Sequence, residues 1–410
     1  MSKIAIVAIG SHGDVAPLAG VGQRLQQAGH DVVLVAYERF AGTAACCGLR
    51  FRPLAAAEDD GADPRKAIMA FLSPSGMRAL GEGVLAALRD EPAEALLLSP
   101  FAEMAGHPLA EARGIPAVGV RLQPFSATSA YPPAVLGAWS AGSFGNRLAS
   151  DTGAWAIDRL YSGVVAGFRQ SLGLAKSSPC ASRKRRAQAR QPILHGYSPS
   201  VLPKPDDWGH GVDVVGYWWP SPPPEWQPPA ELVDFLAAGP APVFVGFGST
   251  MTTAHAAERV TGVVLQALRR AGVRGVVQSG WAGLAAAGDD VLAIGEVPHS
   301  WLFPQTAAVA HHCGAGTAAA ALRAGVPTVA MPGLGDQPFW ARRLRDLGAS
   351  AATIPQRSLT SDKLAEGILG AISDQRFRAT AQRLAERLAA EDGAARVLDV
   401  VEGLSRASHQ

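Results

Sequence analysis

Hydrophobic residues fall along this chain in short unbroken runs, several of them ending at a glycine and followed by a stretch with helical spacing. Near the N-terminus, Lys3 to Ile9 reads as a buried strand, Pro17 to Ala28 as an amphipathic helix stopped by Gly29, and Asp31 to Ala36 as a second strand. That succession opens a Rossmann-like βαβ unit, whose strands are apolar on both faces because helices cover both sides of the sheet. Similar runs at Ala95 to Leu98, Pro116 to Val120 and Pro192 to His195 extend the parallel pattern. The stretch from Gln123 to Asn146 carries Ser, Pro and aromatic residues without periodicity, and suits the wall of a cleft.

Between Gly216 and Pro242 the composition turns abruptly to Pro and Trp, which reads as a semi-rigid linker. The pattern then restarts. Pro242 to Phe247 is a strand closing with Gly248-Ser249-Thr250, followed by a helix through Ala271 and strands near Val273 to Gln278, Val291 to Ile294 and Ala307 to Ala310. From Asp362 onward the spacing is helical, apolar on one side and charged on the other. The expected fold is α/β with two facing Rossmann-like domains, residues 1–215 and 242–410, joined by a linker over 216–241, with the last helix packing back on the first domain. The strand ends of both halves then share one interdomain crevice, where doubly wound sheets bind ligands.

Composition narrows the classes of function. With 410 residues, 48% hydrophobic and 18% charged, the chain has ordinary globular character and length for more than one domain. The balance of 37 Lys plus Arg against 35 Asp plus Glu is too even for a nucleic-acid partner. The opening MSKIAIVAIGSHGD lacks a cleavage site, so no signal peptide is expected, and no apolar run has the length of a membrane span. Cys46, Cys47, Cys180 and Cys313 form neither a disulfide framework nor a CxxC pair, which points to a reducing, cytoplasmic setting. The pairs Asp59-Asp60, Asp206-Asp207 and Asp289-Asp290 sit in loop-like sequence and read as solvated turns. His311-His312-Cys313 alternates faces along a strand, so the three side chains do not converge on one metal ion. The basic run Arg183 to Arg190 is either a solvated face or a weak contact with an anionic membrane surface.

Candidate chemistry concentrates at two strand ends. After Ala307 to Ala310, the segment HHCGAGTAAAALRAGVPTVAMPGLGDQPFW turns on Gly314 and Gly316 into an Ala-rich helix opening at Thr317. The unpaired N–H groups of such a helix start suit a diphosphate, and His312 and Thr317 add side-chain donors. Asp336 and Gln337 offer a carboxylate beside a carboxamide, a pair suited to reading adjacent sugar hydroxyls. The second strand end, Gly10-Ser11-His12-Gly13-Asp14-Val15-Ala16-Pro17, lacks the dinucleotide glycine spacing but sets a carboxylate and an imidazole at a crevice mouth, as general-base chemistry requires. Asp14 is also a favoured residue for capping a helix near Pro17, and the two roles are compatible.

The His312-x-Gly314-x-Gly316-Thr317, Gly325-Val326-Pro327 and Gly335-Asp336-Gln337 spacing resembles the donor signature of family 1 nucleotide-sugar glycosyltransferases. The first loop is similar to that family's N-terminal Gly-Asp/His-x-x-Pro element, and Tyr197 to Trp218 with GDQPFW resembles the sterol glucosyltransferases within it. The resemblance implies that His312, Gly314, Gly316 and Thr317 cradle the diphosphate, that Asp336 and Gln337 hold the sugar, and that Asp14, with His12, is the catalytic base. Ser249 joins the donor set. It further implies a two-domain GT-B fold, UDP-glucose as co-substrate, an inverting single displacement without a metal or other cofactor, and an apolar small-molecule acceptor, a sterol or polyketide-like natural product. Where plant relatives stack the base on a Trp, this chain reads Gly295-Glu296-Val297-Pro298-His299, so the base would rest on the backbone at Val297 and on Trp281, unless Trp281 only fills the core. A dTDP-deoxysugar donor and a non-catalytic auxiliary binder are the alternatives, and the co-occurrence of Asp14 with Asp336-Gln337 favours an enzyme.

Overall fold

The computed structural model describes residues 1–55, 64–219, 225–248, 254–278, 287–288 and 290–408. Two parallel sheets organise the chain. The first contains β1 (Lys3–Val7), β2 (Asp31–Tyr37), β3 (Arg50–Leu54), β4 (Ala95–Leu98), β5 (Ala117–Arg121), β6 (Ile193–His195) and β7 (Val212–Val214) in the order 3-2-1-4-5-6-7. The second contains β8 (Val243–Gly246), β9 (Gly275–Gln278), β10 (Ala287–Gly288), β11 (Val291–Ile294), β12 (Ala308–His311), β13 (Thr328–Ala330) and β14 (Ser350–Thr353) in the order 10-11-9-8-12-13-14. Only β10 runs antiparallel, at an edge. Setting β10 and β7 aside, both sheets follow the same doubly wound order, reversing between β1 and β4 in one and between β8 and β12 in the other. The chain is thus an α/β protein of two Rossmann-like halves.

The apolar runs form strands because each is buried on both faces. Ile4, Ala5, Ile6 and Val7 and, in the other half, Ala308, Val309 and Ala310 are almost wholly inaccessible. At about 25 cal/mol per Å² of apolar area buried, such central strands are the main source of each half's stability.

Three elements differ from the sequence reading. The first helix spans His12–Gln27 and starts ahead of Pro17, because Ser11 caps it and Asp14 at the third helical position closes a capping box. The helix after β12 spans Ala315–Arg323, with Gly314 as its cap, so Thr317 is the third residue of its first turn instead of opening it. The linker is not an extended spacer. It holds the helix Ala230–Ala237, whose Leu232 is buried beside Phe244 and Phe303 of the second half. At its other end Trp218 joins the core of the first half.

The last helix, Gly393–Ser408, returns to that first core, burying Val397 and Val401 against it. Its start meets the linker's start closely. The Trp218 indole donates to the Gly393 carbonyl at 3.2 Å, and a Cβ on Gly393 would sit 2.4 Å from the Gly216 carbonyl oxygen. Glycine is required there by backbone against backbone. Aromatic contacts join the halves: Tyr131 meets the edge of Phe339 at 5.4 Å, and Tyr197 that of Trp340 at 5.8 Å. Arg342 donates across to the Ala138 carbonyl at 2.7 Å, and Arg343 to that of Val201.

Candidate active site

Each sheet's reversal point carries one of the two candidate loops. In the first half, Asp14 follows β1 and lies beside Ser99 and Pro100, which follow β4. A cavity of about 160 Å³ opens there, lined by Asp14, Gln123 and an apolar wall that includes Ile9, Phe101, Leu122 and Phe125. The two Asp14 oxygens divide their tasks. Oδ2 accepts from the Ser11 backbone N–H at 2.8 Å and the Ser11 hydroxyl at 2.9 Å, which is the helix-capping role. Oδ1 accepts from the side-chain amide of Gln123 at 3.2 Å. His12, the first residue of the helix, is exposed, with its ring 6.4 Å from that of Phe40. Among the described residues no hydrogen bond joins His12 to Asp14.

In the second half His312 follows β12 and is held between two glycines. A Cβ on Gly248 would lie 2.6 Å from its ring, and one on Gly314 would lie 2.5 Å from Nε2. Glycine at 314 is therefore demanded by the imidazole. Burial pushes the His312 pKa down to about 4, against the opposite pull of the Gly246 carbonyl, so the ring is neutral near pH 7. Such a ring donates one hydrogen bond without carrying charge. The N–H groups of Ala315, Gly316 and Thr317 have no partner within their helix, whose first bond runs from Ala318 to the Gly314 carbonyl. A Cβ on Gly316 would meet nothing within 4 Å, which leaves room for a ligand against that turn. His311 points the other way. It is fully buried and accepts from the Cys313 N–H at 3.1 Å through Nδ1, while Cys313 takes a left-handed φ of 65°.

The Gly-Asp-Gln-Pro-Phe-Trp run acquires a physical meaning here. Asp336 caps the helix Gln337–Asp346, and the Trp340 indole donates to its Oδ2 at 3.0 Å, fixing the carboxylate. Burial raises the Asp336 pKa; the Trp340 bond opposes the shift and the charge of Asp14 across the cleft adds to it. Gln337 accepts the Gly333 N–H at 2.8 Å through Oε1, leaving its amide protons to donate. Val297 is buried with Ile294 and Phe303. Its neighbour His299 stacks on Phe303 at 4.3 Å, and burial, helped by the charge of His312, lowers its pKa to about 4. Ser249 and Trp281 lie outside the described residues, as do Asp59-Asp60 and Asp289.

One reading needs correction. Asp207 is no solvated turn: its carboxylate accepts from the Thr128 hydroxyl at 2.6 Å and the Ser129 N–H at 2.7 Å, tying down the irregular Gln123 to Asn146 stretch. The basic run, by contrast, is the solvated face expected of it, lying on the helix Pro179–Gln188 and the residues after it and largely exposed, with some of its charges paired within the molecule. Arg183 pairs with Asp158 at 2.7 Å, Arg185 donates to Ser177 at 2.9 Å, and Arg186 is desolvated enough to lower its pKa. Among the described residues no helix is long and apolar enough to cross a membrane, and no group of three or more His, Cys, Asp and Glu is placed to hold a metal ion. The sequence reading missed Gln123, whose only signal was a polar residue just past a buried strand, on the crevice side.

The profile of the family described as "Erythromycin biosynthesis protein CIII-like, C-terminal domain" matches residues 276–404. The chain is 33% identical to a sterol 3-beta-glucosyltransferase of Arabidopsis thaliana over 96% of its own length and 64% of that protein's. It is 34% identical to O-mycaminosyltylonolide 6-deoxyallosyltransferase of Streptomyces fradiae, covering 98% of this chain and 97% of that one. The solved structure of the glycotransferase of kitacinnamycin superposes with a TM-score of 0.72 at 20% identity, covering 98% of this chain and 99% of the other.

Proposed function

The chain belongs to the family 1 nucleotide-sugar glycosyltransferases, and from that membership we propose that it transfers glucose from UDP-glucose to a hydroxyl of an apolar acceptor, a sterol or polycyclic natural product. The observation that supports the reading best is the pair of carboxylates facing one another across the cleft, Asp14 beside an apolar cavity and Asp336 beside an open helix start.

In this mechanism the acceptor hydroxyl enters the apolar cavity and gives its proton to Oδ1 of Asp14. The freed oxygen pair attacks the anomeric carbon as the bond from that carbon to the diphosphate oxygen breaks, so configuration inverts. The departing diphosphate carries the electron pair away and meets the N–H groups of Ala315, Gly316 and Thr317, beside the neutral imidazole of His312. Asp336 accepts from sugar hydroxyls through the oxygen that Trp340 leaves free, and Gln337 donates to them. His12 lines the cleft mouth without sharing the Asp14 proton. No metal takes part in the proposal.

A dTDP-deoxysugar donor is the second reading, favoured by the likeness to the Streptomyces fradiae 6-deoxyallosyltransferase along nearly the whole of both chains. Turnover measured side by side with UDP-glucose and dTDP-sugars, over a mass-spectrometric screen of sterols, flavonoids and macrocycles, tests the donor and acceptor together. Exclusive use of dTDP-sugars would overturn the glucose assignment. Activity lost in EDTA and restored by magnesium or manganese would overturn the metal-free step.

A further inference from the structure

Gln123 stands two residues past β5, partly exposed on the rim of the cavity that contains Asp14. Its side-chain Nε2 donates to Oδ1 of Asp14 at 3.2 Å. Its backbone is held from beneath: the Gln123 carbonyl lies 3.1 Å from Nδ1 of His195. A carbonyl only accepts, so Nδ1 carries the imidazole proton, and Nε2 must accept from the Ser126 hydroxyl 2.9 Å away. Ser126 in turn accepts from Arg121 at 3.2 Å, and Arg121 forks onto Glu103 at 2.8 and 2.9 Å.

This chain of bonds is rigid and dry. His195 is inaccessible and stacks on Trp208 at 4.5 Å. Burial, with the nearby Arg121 charge, lowers its pKa to about 3, so the tautomer is stable at any working pH. Burial alone would raise the Glu103 carboxyl, but Arg121 and His107 outweigh it and hold it down to about 2. The loop bearing Gln123 is thus anchored to a fixed ion pair under the first sheet.

We propose that Gln123 is the positioning residue of the base: it turns the Asp14 carboxylate so that Oδ1 faces the cavity, and the chain His195, Ser126, Arg121 and Glu103 keeps Gln123 in place. Oδ2 is filled by its two bonds from Ser11, so Oδ1 is the oxygen with a lone pair left for an acceptor proton. The inference rests on Asp14 being that base. The other ionisable groups around the carboxylate are His12 on its own helix, Arg39, which donates to the Gly10 carbonyl at 3.2 Å, and Asp336 across the cleft.

Two substitutions of this part-exposed residue test the idea beside Asp14→Asn. Gln123→Met keeps the length and removes the donor, so kcat should fall about 10- to 100-fold, as misplacement of a reacting group does, with donor affinity and melting temperature unchanged. Gln123→Glu sets a second carboxylate against the first, and the acidic limb of the kcat/KM profile should move up by about one pH unit or more. A purely structural role would leave that limb in place. If Asp14→Asn is inactive while Gln123→Met keeps its kcat, changes only the acceptor KM, or Gln123→Glu leaves the limb unmoved, the positioning role is overturned and the base assignment stands. If Asp14→Asn still transfers sugar, the base assignment falls and the role of Gln123 falls with it.

Discussion

The loops after β1 and β12 both stand at the reversal point of a sheet, one before the reversal and the other after it, and they are built in opposite ways. Around His312 everything is close and desolvated: an imidazole between two glycines, a left-handed Cys313, and a helix start with little side chain around it. Around Asp14 the helix start is closed by its own capping box, the carboxylate is half-exposed, and the neighbouring wall is apolar. A helix start with free N–H groups suits the anion site proposed above, and one closed by a carboxylate-bearing capping box suits the proposed proton acceptor. What distinguishes the two is whether residue three of the helix is a carboxylate or a threonine.

The contrast is broken most severely at the base. Asp14→Asn should lower kcat by about 10³-fold while nucleotide-sugar binding measured by calorimetry persists, and loss of both together would show that the two loops are not functionally separate. On the donor side, Asp336→Ala should cost about 10²-fold in kcat/KM, because sugar hydroxyls lose a charged acceptor. Trp340→Phe, which removes the indole bond to Asp336 together with part of a buried ring, should raise the donor KM about tenfold without altering the acceptor KM. Gly314→Ala forces His312 from its slot and should weaken donor binding by about tenfold, again with the acceptor KM untouched.

The mildest test is acidity. His195, His299, His311 and His312 all have native pKa values below their usual 6.5, at about 3, 4, 3 and 4, each lowered first by burial. Between those values and 6.5 the unfolded chain binds more protons than the native one, so stability must fall as pH drops through that window. The melting temperature should therefore decline from about pH 6.5 downward and be level above it; a flat profile from pH 7 to 4 would mean that these rings are solvated.

Much of the fold was legible because central strands such as β1, β8 and β12 are buried on both faces and so appear as continuous apolar runs. Edge strands were not. In β3, RFRPL, four of the five residues keep contact with solvent, and the short β7, VDV, is half-buried throughout. The helix Gly142–Ser171 escaped notice because five glycines interrupt it and Phe144 and Trp155 are exposed, which blurs its period. The candidates His312, Gly314, Gly316, Thr317, Asp336 and Gln337 were readable since they lie within one continuous segment whose spacing follows from a turn and a helix start. Gln123 was not, because its partner is 109 positions away and only the sheet brings them together.

The crossing of Gly216 and Gly393 has a mechanical consequence. The chain passes between the halves twice, and both passages go through this one spot, where Trp218 clasps the returning strand. The Tyr131–Phe339 and Arg342–Ala138 contacts add further ties between the halves. Cutting the chain before Gly393 would remove one of the two covalent passages and with it the Trp218–Gly393 bond.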